Sequence, residues 1–318
     1  MKQILYFKLY EGASEFYRLL PLTYIDDVDL KIVETRDANI NFQYWDRFDM
    51  FIILRPQGEV AVNLIKTLKR WGKKVIADFD DNPLALDQHN PMFSLYENEK
   101  KSTIQCIALA DEIWVSTPAI KDAFRMYNKN IHVIPNSLDD YTFPVSEKKP
   151  YNFNKKAIWR GGSSHEGDMY ELGTPEKVIS LVNGNKDWQF LFFGQRFHYL
   201  EKRTGENYVA VPCSLPMVQF QEAIQKENAC VAFYPLSTTR FNKSKSNIFW
   251  IESTYAGSAV FANKELDEFN MPGVADLEKL PEMLNKNLKA RHDISWEYIK
   301  SNLLVSKINL LRIERLKA

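Results

Sequence analysis

The stretch Asp78-Phe79-Asp80-Asp81-Asn82-Pro83 puts three carboxylates within four residues. Such clustering is electrostatically costly unless a cation, a hydroxyl or a helix end relieves it. A divalent metal is one solution, and hydrogen bonding to a polyol acceptor, with one carboxylate acting as a base, is another. A structural reading stands beside both, in which Asp80 or Asp81 merely caps the turn ahead of Pro83. His89, in the Pro- and Asn-rich loop that follows, reads either as part of the same site or as a solvated ring.

Two other stretches suit an anion. In Trp159-Arg160-Gly161-Gly162-Ser163-Ser164-His165 the glycines allow close backbone approach, and the arginine can neutralise phosphate with a planar fork of donors. In Arg240-Phe241-Asn242-Lys243-Ser244-Lys245-Ser246, hydroxyls and two lysines precede a helical pattern carrying Glu252 and then Gly257. Amides at a helix start, with those groups, suit a phosphorylated ligand, and Glu252 could accept from a ribose. The alternative for the lysines is a solvated basic face. A weaker anion candidate is Tyr10-Glu11-Gly12-Ala13-Ser14, ahead of a helix containing Arg18. One glycine is not a phosphate fingerprint, so an ordinary turn with Arg18 on a solvated face stays open.

Residues so far apart need a scaffold, and the pattern along the chain is that of an α/β protein, with short β-rich runs alternating with amphipathic helical stretches. Expected strands are Ile4–Phe7, Leu30–Val33, Met50–Leu54, Lys74–Phe79, Glu112–Ser116 and His132–Ile134, then Ala157–Trp159, Phe190–Phe193, Tyr208–Val211, Cys230–Tyr234 and Ala259–Ala262. Expected helices are Ser14–Leu20, Glu59–Trp71, Glu97–Leu109, Pro118–Tyr127, Pro175–Val182, Pro216–Lys226 and Lys245–Tyr255, with Gly72 as a left-handed cap. The Pro-, Lys- and Asn-rich run Pro144–Asn154 reads as a linker, and Ser295–Leu316 as one terminal helix. Ligands of open parallel sheets bind beyond the carboxyl ends of the strands, where all these candidates fall.

Composition narrows the class. At 318 residues the chain is about two average domains long, and 45% hydrophobic with 26% charged residues excludes disorder and fibrous repeats. Lys plus Arg (41) balances Asp plus Glu (41), which leaves no net field to attract bulk nucleic acid or an anionic membrane. The three cysteines form neither a close pair nor metal-ligand spacing, so a reducing, cytoplasmic setting is expected. No window nears 18 apolar residues and the start is too short for a signal-peptide core, so no membrane span is expected.

In their order and spacing these segments resemble the glycosyltransferases of GT-B architecture, particularly the retaining group called family four and its relatives in bacteria and phages. The resemblance rests on Gly12 through Arg18 to Pro21, Asp78 to Asp81 with Asn90-Pro91, Ala110 to Thr117, and Val133-Ile134-Pro135-Asn136-Ser137-Leu138-Asp139. It continues through the Trp159–His165 turn and Phe241 to Ser246, leading to Glu252 and Ala256-Gly257.

The resemblance implies two Rossmann-like domains facing a central cleft. Residues 1–148 would bind the acceptor, residues 149–295 the nucleotide sugar, and 296–318 would form a helix crossing back to the first domain. It also implies transfer of a hexosyl or pentosyl group from a nucleotide-diphosphate sugar to an acceptor hydroxyl, with retention. Arg160 and Lys245 would hold the diphosphate and Glu252 the ribose. Gly161, Gly162, Asn242, Ser244 and Ser246 would line the donor site, and Asp80, Asp81, Gly12, Arg18 and His89 the acceptor side. The first of the family's paired glutamates falls on Ser244, so this sequence lacks that carboxylate.

No cofactor beyond the nucleotide sugar is expected. Arg160 and Lys245 could neutralise the leaving group, so no metal ligand is assigned, although Asp78, Asp80 and Asp81 keep a divalent ion open. The acceptor could be a glycan, a protein or modified DNA. Two alternatives remain: a noncatalytic sugar- or nucleotide-binding relative, for which Ser244 argues, and a phage-type transferase acting on modified DNA. In the latter, Arg196, Phe197, His198, Tyr199, Lys202 and Arg203 would contact nucleic acid.

Overall fold

A computed structural model describes residues 2–8, 12–34, 42–162, 165–170 and 174–317. Tyr10, Glu11, Ser163 and Ser164 of the candidate loops lie outside the described residues. Among the described residues, twelve strands form two six-stranded sheets. The first holds β1 (Lys2–Lys8), β2 (Val28–Glu34), β3 (Met50–Leu54), β4 (Lys74–Phe79), β5 (Glu112–Val115) and β6 (Ile131–Val133), in the order β2-β1-β3-β4-β5-β6. The second holds β7 (Lys156–Arg160), β8 (Gln189–Gly194), β9 (Tyr208–Pro212), β10 (Val231–Tyr234), β11 (Ala259–Ala262) and β12 (Ala275–Asp276), in the order β12-β11-β10-β7-β8-β9.

Every pairing in both sheets is parallel. That explains the unbroken apolar runs of β3 and β10, which are buried along their whole length because helices cover both faces. The edge strand β2 instead carries exposed Lys31 and Ile32. Helix Gly58–Arg70 shows the complementary pattern, burying Ala61, Val62, Leu64, Ile65 and Leu68 on one face. It ends where the Gly72 amide bonds to Lys69 O (3.0 Å) and the Lys73 amide to Leu68 O (3.0 Å), with Gly72 at φ 70°.

In each sheet the strand order reverses at one point, between β1 and β3 and between β7 and β10, and loops diverge there to open a crevice. The second crevice brings Arg160, the last residue of β7, beside the segment that follows β10.

Three expected helices differ from what is found. The run expected over Glu97–Leu109 is two helices, Phe93–Asn98 and Lys100–Leu109, and the first buries none of its residues. The helix expected from Lys245 starts at Ile248, because the Ser244 and Lys245 amides bond to Phe241 O (2.9 Å) and Asn242 O (3.1 Å) in a tighter turn. The terminal run is also divided, into Leu288–Asn302 and Val305–Lys317.

The physical reason for that last break is tertiary. Leu138 donates to Leu303 O (2.9 Å) and accepts from the Val305 amide (2.8 Å), so a strand-like bridge between Leu138 and Leu304 interrupts the helix. Before the break, Leu288, Trp296 and Ile299 belong to the core of the second sheet. After it, Ile308 and Leu316 join Ile4, Tyr6, Leu19 and Trp114 in a core of the first. Asn309 Nδ2 donates to Pro21 O (2.7 Å) on the same side.

Ile308→Ala should therefore destabilise the protein by about 2–5 kcal/mol, as for other buried Ile truncations. Leu310→Ala, on the same helix but 66% exposed, should cost less than about 0.5 kcal/mol. Urea denaturation of both variants reads the difference.

Candidate functional site

The acidic end of β4 is neutralised by two arginines. Arg18 grips Asp78 with Nε (2.9 Å to Oδ1, 3.1 Å to Oδ2) and Nη2 (2.6 Å to Oδ1), both side chains being fully buried. Its Nη1 donates to Ile134 O (2.5 Å) and Asn136 Oδ1 (3.2 Å). Burial works against the Arg18 charge, but Asp78 more than offsets it and holds the guanidinium above its ordinary pKa. Arg18 is thus neither on a solvated face nor open to an anion, which corrects both readings made of it from the sequence. Gly12 is exposed at the start of the same short helix.

Arg55, which follows β3, takes the other two carboxylates. Its Nε donates to Asp80 Oδ1 (2.5 Å) and its Nη2 to Asp81 Oδ2 (2.8 Å). Burial pushes the Asp80 carboxyl up, but Arg55, Ser14 and Arg18 together bring it below the ordinary carboxylate range. Sequence reasoning missed Arg55, and no local motif around it carries a signal. Among the described residues, no group of three or more His, Cys, Asp or Glu is placed to hold a metal ion.

In the second sheet, Arg160 and Glu252 lie against each other, Arg160 Nη2 touching Glu252 Oε2. The same Nη2 lies 3.3 Å from Ile248 O, and the guanidinium sits over the Phe249 ring at 4.9 Å. Burial lowers the Arg160 pKa to about 10 and lifts the Glu252 carboxyl to about 8. Arg160 Nε and Glu252 Oε2 have no directed hydrogen bond, although both are buried. The residues expected to hold diphosphate and ribose therefore hold each other, with donor and acceptor capacity left over. Helix Ile248–Tyr255 begins alongside, its first bonds running from Trp250 and Ile251 back to Asn247 O (2.9 and 3.2 Å), which leaves the Ile248 and Phe249 amides outside the helical ladder.

A buried polar network organises the turn between β10 and this helix. His165 Nδ1 lies 3.2 Å from Asp168 Oδ2, and its Nε2 3.2 Å from the Tyr234 hydroxyl. Burial, then Lys245, lowers the His165 pKa, so the ring is neutral; it donates from Nδ1 to Asp168 and accepts from Tyr234. Asp168 Oδ1 also accepts from Ser237 Oγ (2.8 Å) and from Asn242 Nδ2. Asn242 is therefore a brace of its own loop. Asp168, Ser237 and Tyr234 were missed from sequence.

Gly161 is likewise internal, since a Cβ there would stand 2.8 Å from the Trp159 ring and 2.9 Å from that of His165. A Cβ at Gly162 would meet nothing within 4 Å among the described residues. Gly162 is the glycine of the pair with room for a ligand beside it.

Three hydrogen bonds tie the second sheet's loop to the first domain. Asn82 Nδ2 donates to Ser244 Oγ (3.2 Å), Thr117 Oγ1 to Ser244 O (3.0 Å), and Asn136 Nδ2 to Ser246 Oγ (3.0 Å). Ser244 and Ser246, expected at the donor, are thus engaged across the cleft, and Ser244 is buried. Lys245 between them sits over the Phe241 ring at 4.6 Å, and among the described residues no carboxylate pairs with it. The cleft groups converge electrostatically. Lys245 and Asp81 both act on His165, and Arg160 and Asp81 both act on Tyr234.

His89 lies at the rim, its Cβ 3.1 Å from where a Gly167 Cβ would stand. With Asp87 and Asn90 it faces Asp168 and Asn242 across a cavity of about 20 Å³. The stretch considered for nucleic acid is locally neutralised: Arg196 forks onto Glu201 (2.9 and 2.6 Å), Arg203 onto Glu176 (2.5 and 2.7 Å), and Phe197 is buried. A separate groove of about 980 Å³ lies between helix Thr174–Gly184 and the ends of β10 and β11, floored by Leu181, Phe233 and Leu236, and none of the expected site residues lines it. Among the described residues no helix is long and apolar enough to cross a membrane.

No family model matches this sequence, and no curated protein matches it. Solved structures match its fold. Anabaena Alr3699/HepE in complex with UDP is similar over 100% of both chains, with a TM-score of 0.67 at 12% identity. The spinosyn forosaminyltransferase SpnP is similar over 99% of both chains, with a TM-score of 0.50 at 10% identity. The UDP-GlcNAc 2-epimerase of Methanocaldococcus jannaschii is similar over 92% of this chain and 98% of its own, with a TM-score of 0.51 at 12% identity. The chain has the GT-B architecture, two Rossmann-like α/β domains facing a central cleft.

The neutral His165 has a consequence for stability. An unfolded histidine takes up a proton near pH 6.5, which the buried ring resists. This contribution is complete above that pH and is lost as pH falls through the lowered native value. The urea midpoint should therefore drop between pH 7 and 5.5. In His165→Gln the drop should be shallower, and equal slopes in the two proteins would contradict the assignment.

Proposed function

We propose that this chain is a glycosyltransferase that moves a sugar from a nucleoside-diphosphate sugar, with uridine as the nucleoside, to an acceptor hydroxyl. The observation that carries this reading is the convergence on the buried Tyr234–His165 pair of two cations from the second domain, Arg160 and Lys245, and one carboxylate from the first, Asp81.

Transfer breaks the bond between the anomeric carbon and the diphosphate oxygen, and the electron pair leaves with the diphosphate. Positive charge grows on the sugar and negative charge on the leaving group. Fixed cations and amide dipoles aimed at that oxygen lower the barrier. Lys245 and Arg160 supply the cations, and the Ile248 and Phe249 amides the dipoles. The Arg160 Nε and Glu252 Oε2 atoms left without directed bonds suit a phosphate oxygen and a ribose hydroxyl respectively.

On the other side, the acceptor oxygen bonds to the anomeric carbon and gives up its proton to one of the two carboxylates facing it, Asp80 or Asp81. The ties from Asn82, Thr117 and Asn136 to the Ser244–Ser246 turn hold the lobes together, which limits access of water to the donor. At the position of the missing carboxylate, Ser244 serves that joint.

Lys245→Ala should lower kcat for UDP release from UDP-glucose or UDP-N-acetylglucosamine about 100-fold, the range for loss of one charge-stabilising group. Its melting temperature should change little, because among the described residues the ammonium has no ion-pair partner. Equal UDP release in variant and wild type would remove Lys245 from the site. UDP binding with no turnover would instead favour a binding-only relative, and interconversion of UDP-N-acetylglucosamine with its 2-epimer, without UDP release, would favour an epimerase.

A further inference from the structure

Arg55 stands out from its surroundings in three ways. It is a non-glycine residue at φ 45°, a left-handed conformation that side-chain-bearing residues seldom adopt and that clusters at functional sites. Its amide bonds to Asp78 O (2.8 Å), which draws the residue from the end of β3 over the end of β4. From there its guanidinium reaches two adjacent carboxylates at once, Asp80 through Nε and Asp81 through Nη2. The Asp80 side chain is 9% exposed and the Asp81 side chain 33%, so one carboxylate is closed in and the other opens to the cleft.

The surroundings give this bridge a direction. Asp80 is further held by Ser14 and by the nearby Arg18, and its own backbone oxygen accepts from Ser116 Oγ (2.7 Å). Asp81 faces His165 and Tyr234 of the opposite domain, and Tyr96 of helix Phe93–Asn98 approaches Arg55. Arg312, also buried, adds a third cation beside Asp78 and Arg18, so that Arg18, Arg55 and Arg312 balance Asp78, Asp80 and Asp81 at this end of the first sheet.

We propose that Arg55 is the positioning residue of the acceptor side: bridged to the closed-in Asp80, it fixes Asp81 as the carboxylate that accepts a hydrogen bond from the acceptor hydroxyl and orients it for attack. This rests on the transferase reading above and deepens it in one respect. It separates the roles of two neighbouring aspartates that look equivalent in sequence.

The test uses the full chain and UDP-glucose hydrolysis, in which water takes the acceptor's place, with UDP affinity measured by calorimetry. Arg55→Gln should lower kcat at least tenfold while KM and the UDP Kd stay within twofold. Its acid limb should move to higher pH, because Asp80 loses the cation that holds its carboxyl below the ordinary range. Arg55→Lys should restore part of kcat, since an ammonium keeps the charge without the two-pronged reach. A folded Arg55→Gln with wild-type kcat and pH profile would overturn the proposal. Should Arg55→Gln not fold, Asp81→Asn decides, with a tenfold loss at unchanged UDP affinity supporting the proposal and wild-type kcat overturning it. Absence of turnover in the wild type itself would be a different failure, of the transferase reading, and this inference would fall with it.

Discussion

Three aspartates at the carboxyl end of one buried strand impose a constraint that reaches most of the molecule. Without cations close by, those charges could not be taken out of water. Arg18, on a helix after β1, takes Asp78, and Arg55, after β3, takes Asp80 and Asp81. The Arg18 fork does not stop at the carboxylate. It continues to Ile134 O and to Asn136, and Asn136 in turn donates to Ser246 of the opposite domain. One polar chain therefore runs from the acidic strand end, through the last strand of the first sheet, to the turn that carries Lys245.

The same short segment, Ile134 to Leu138, does two further things. Leu138 pairs with the chain at Leu303–Val305, which breaks the terminal helix at the point where it passes from one core to the other. Asn136 stands beside it. The cross-cleft joint, the Arg18 contact and the pairing with the terminal helices thus share one loop, which gives Asn136 and Leu138 their roles in terms of contacts. Cross-cleft bonds from Asn82 and Thr117 to Ser244 add to the joint, so the position where the resembled family carries a carboxylate here does mechanical work.

Much of the scaffold was legible in the sequence because buried parallel strands leave unbroken apolar runs. Met50–Leu54, Lys74–Phe79 and Ala259–Ala262 have the bounds expected of them. The two-residue β12 is too short to leave a pattern, and the break at Leu303–Leu304 falls inside an apolar stretch, so only the tertiary bridge to Leu138 reveals it. In the site, residue chemistry was legible and partnership was not. Arg160, Glu252 and Lys245 could be singled out as charges near strand ends. That Arg160 meets Glu252, that Arg18 is buried on Asp78, and that Arg55 serves two aspartates 25 and 26 residues away all depend on which strands become neighbours.

In the proposed transferase a nucleoside diphosphate would sit at the carboxyl ends of β7 and β10, beside the start of helix Ile248–Tyr255. Amide hydrogen exchange with and without UDP locates it most directly. Slowed exchange is expected at Gly161–Gly162 and across Ser246–Glu252, with helix Thr174–Gly184 and the loop after β11 unchanged. Protection confined to those last two segments would place the ligand in the 980 Å³ groove that they border, away from Arg160 and Lys245, and would contradict this placement.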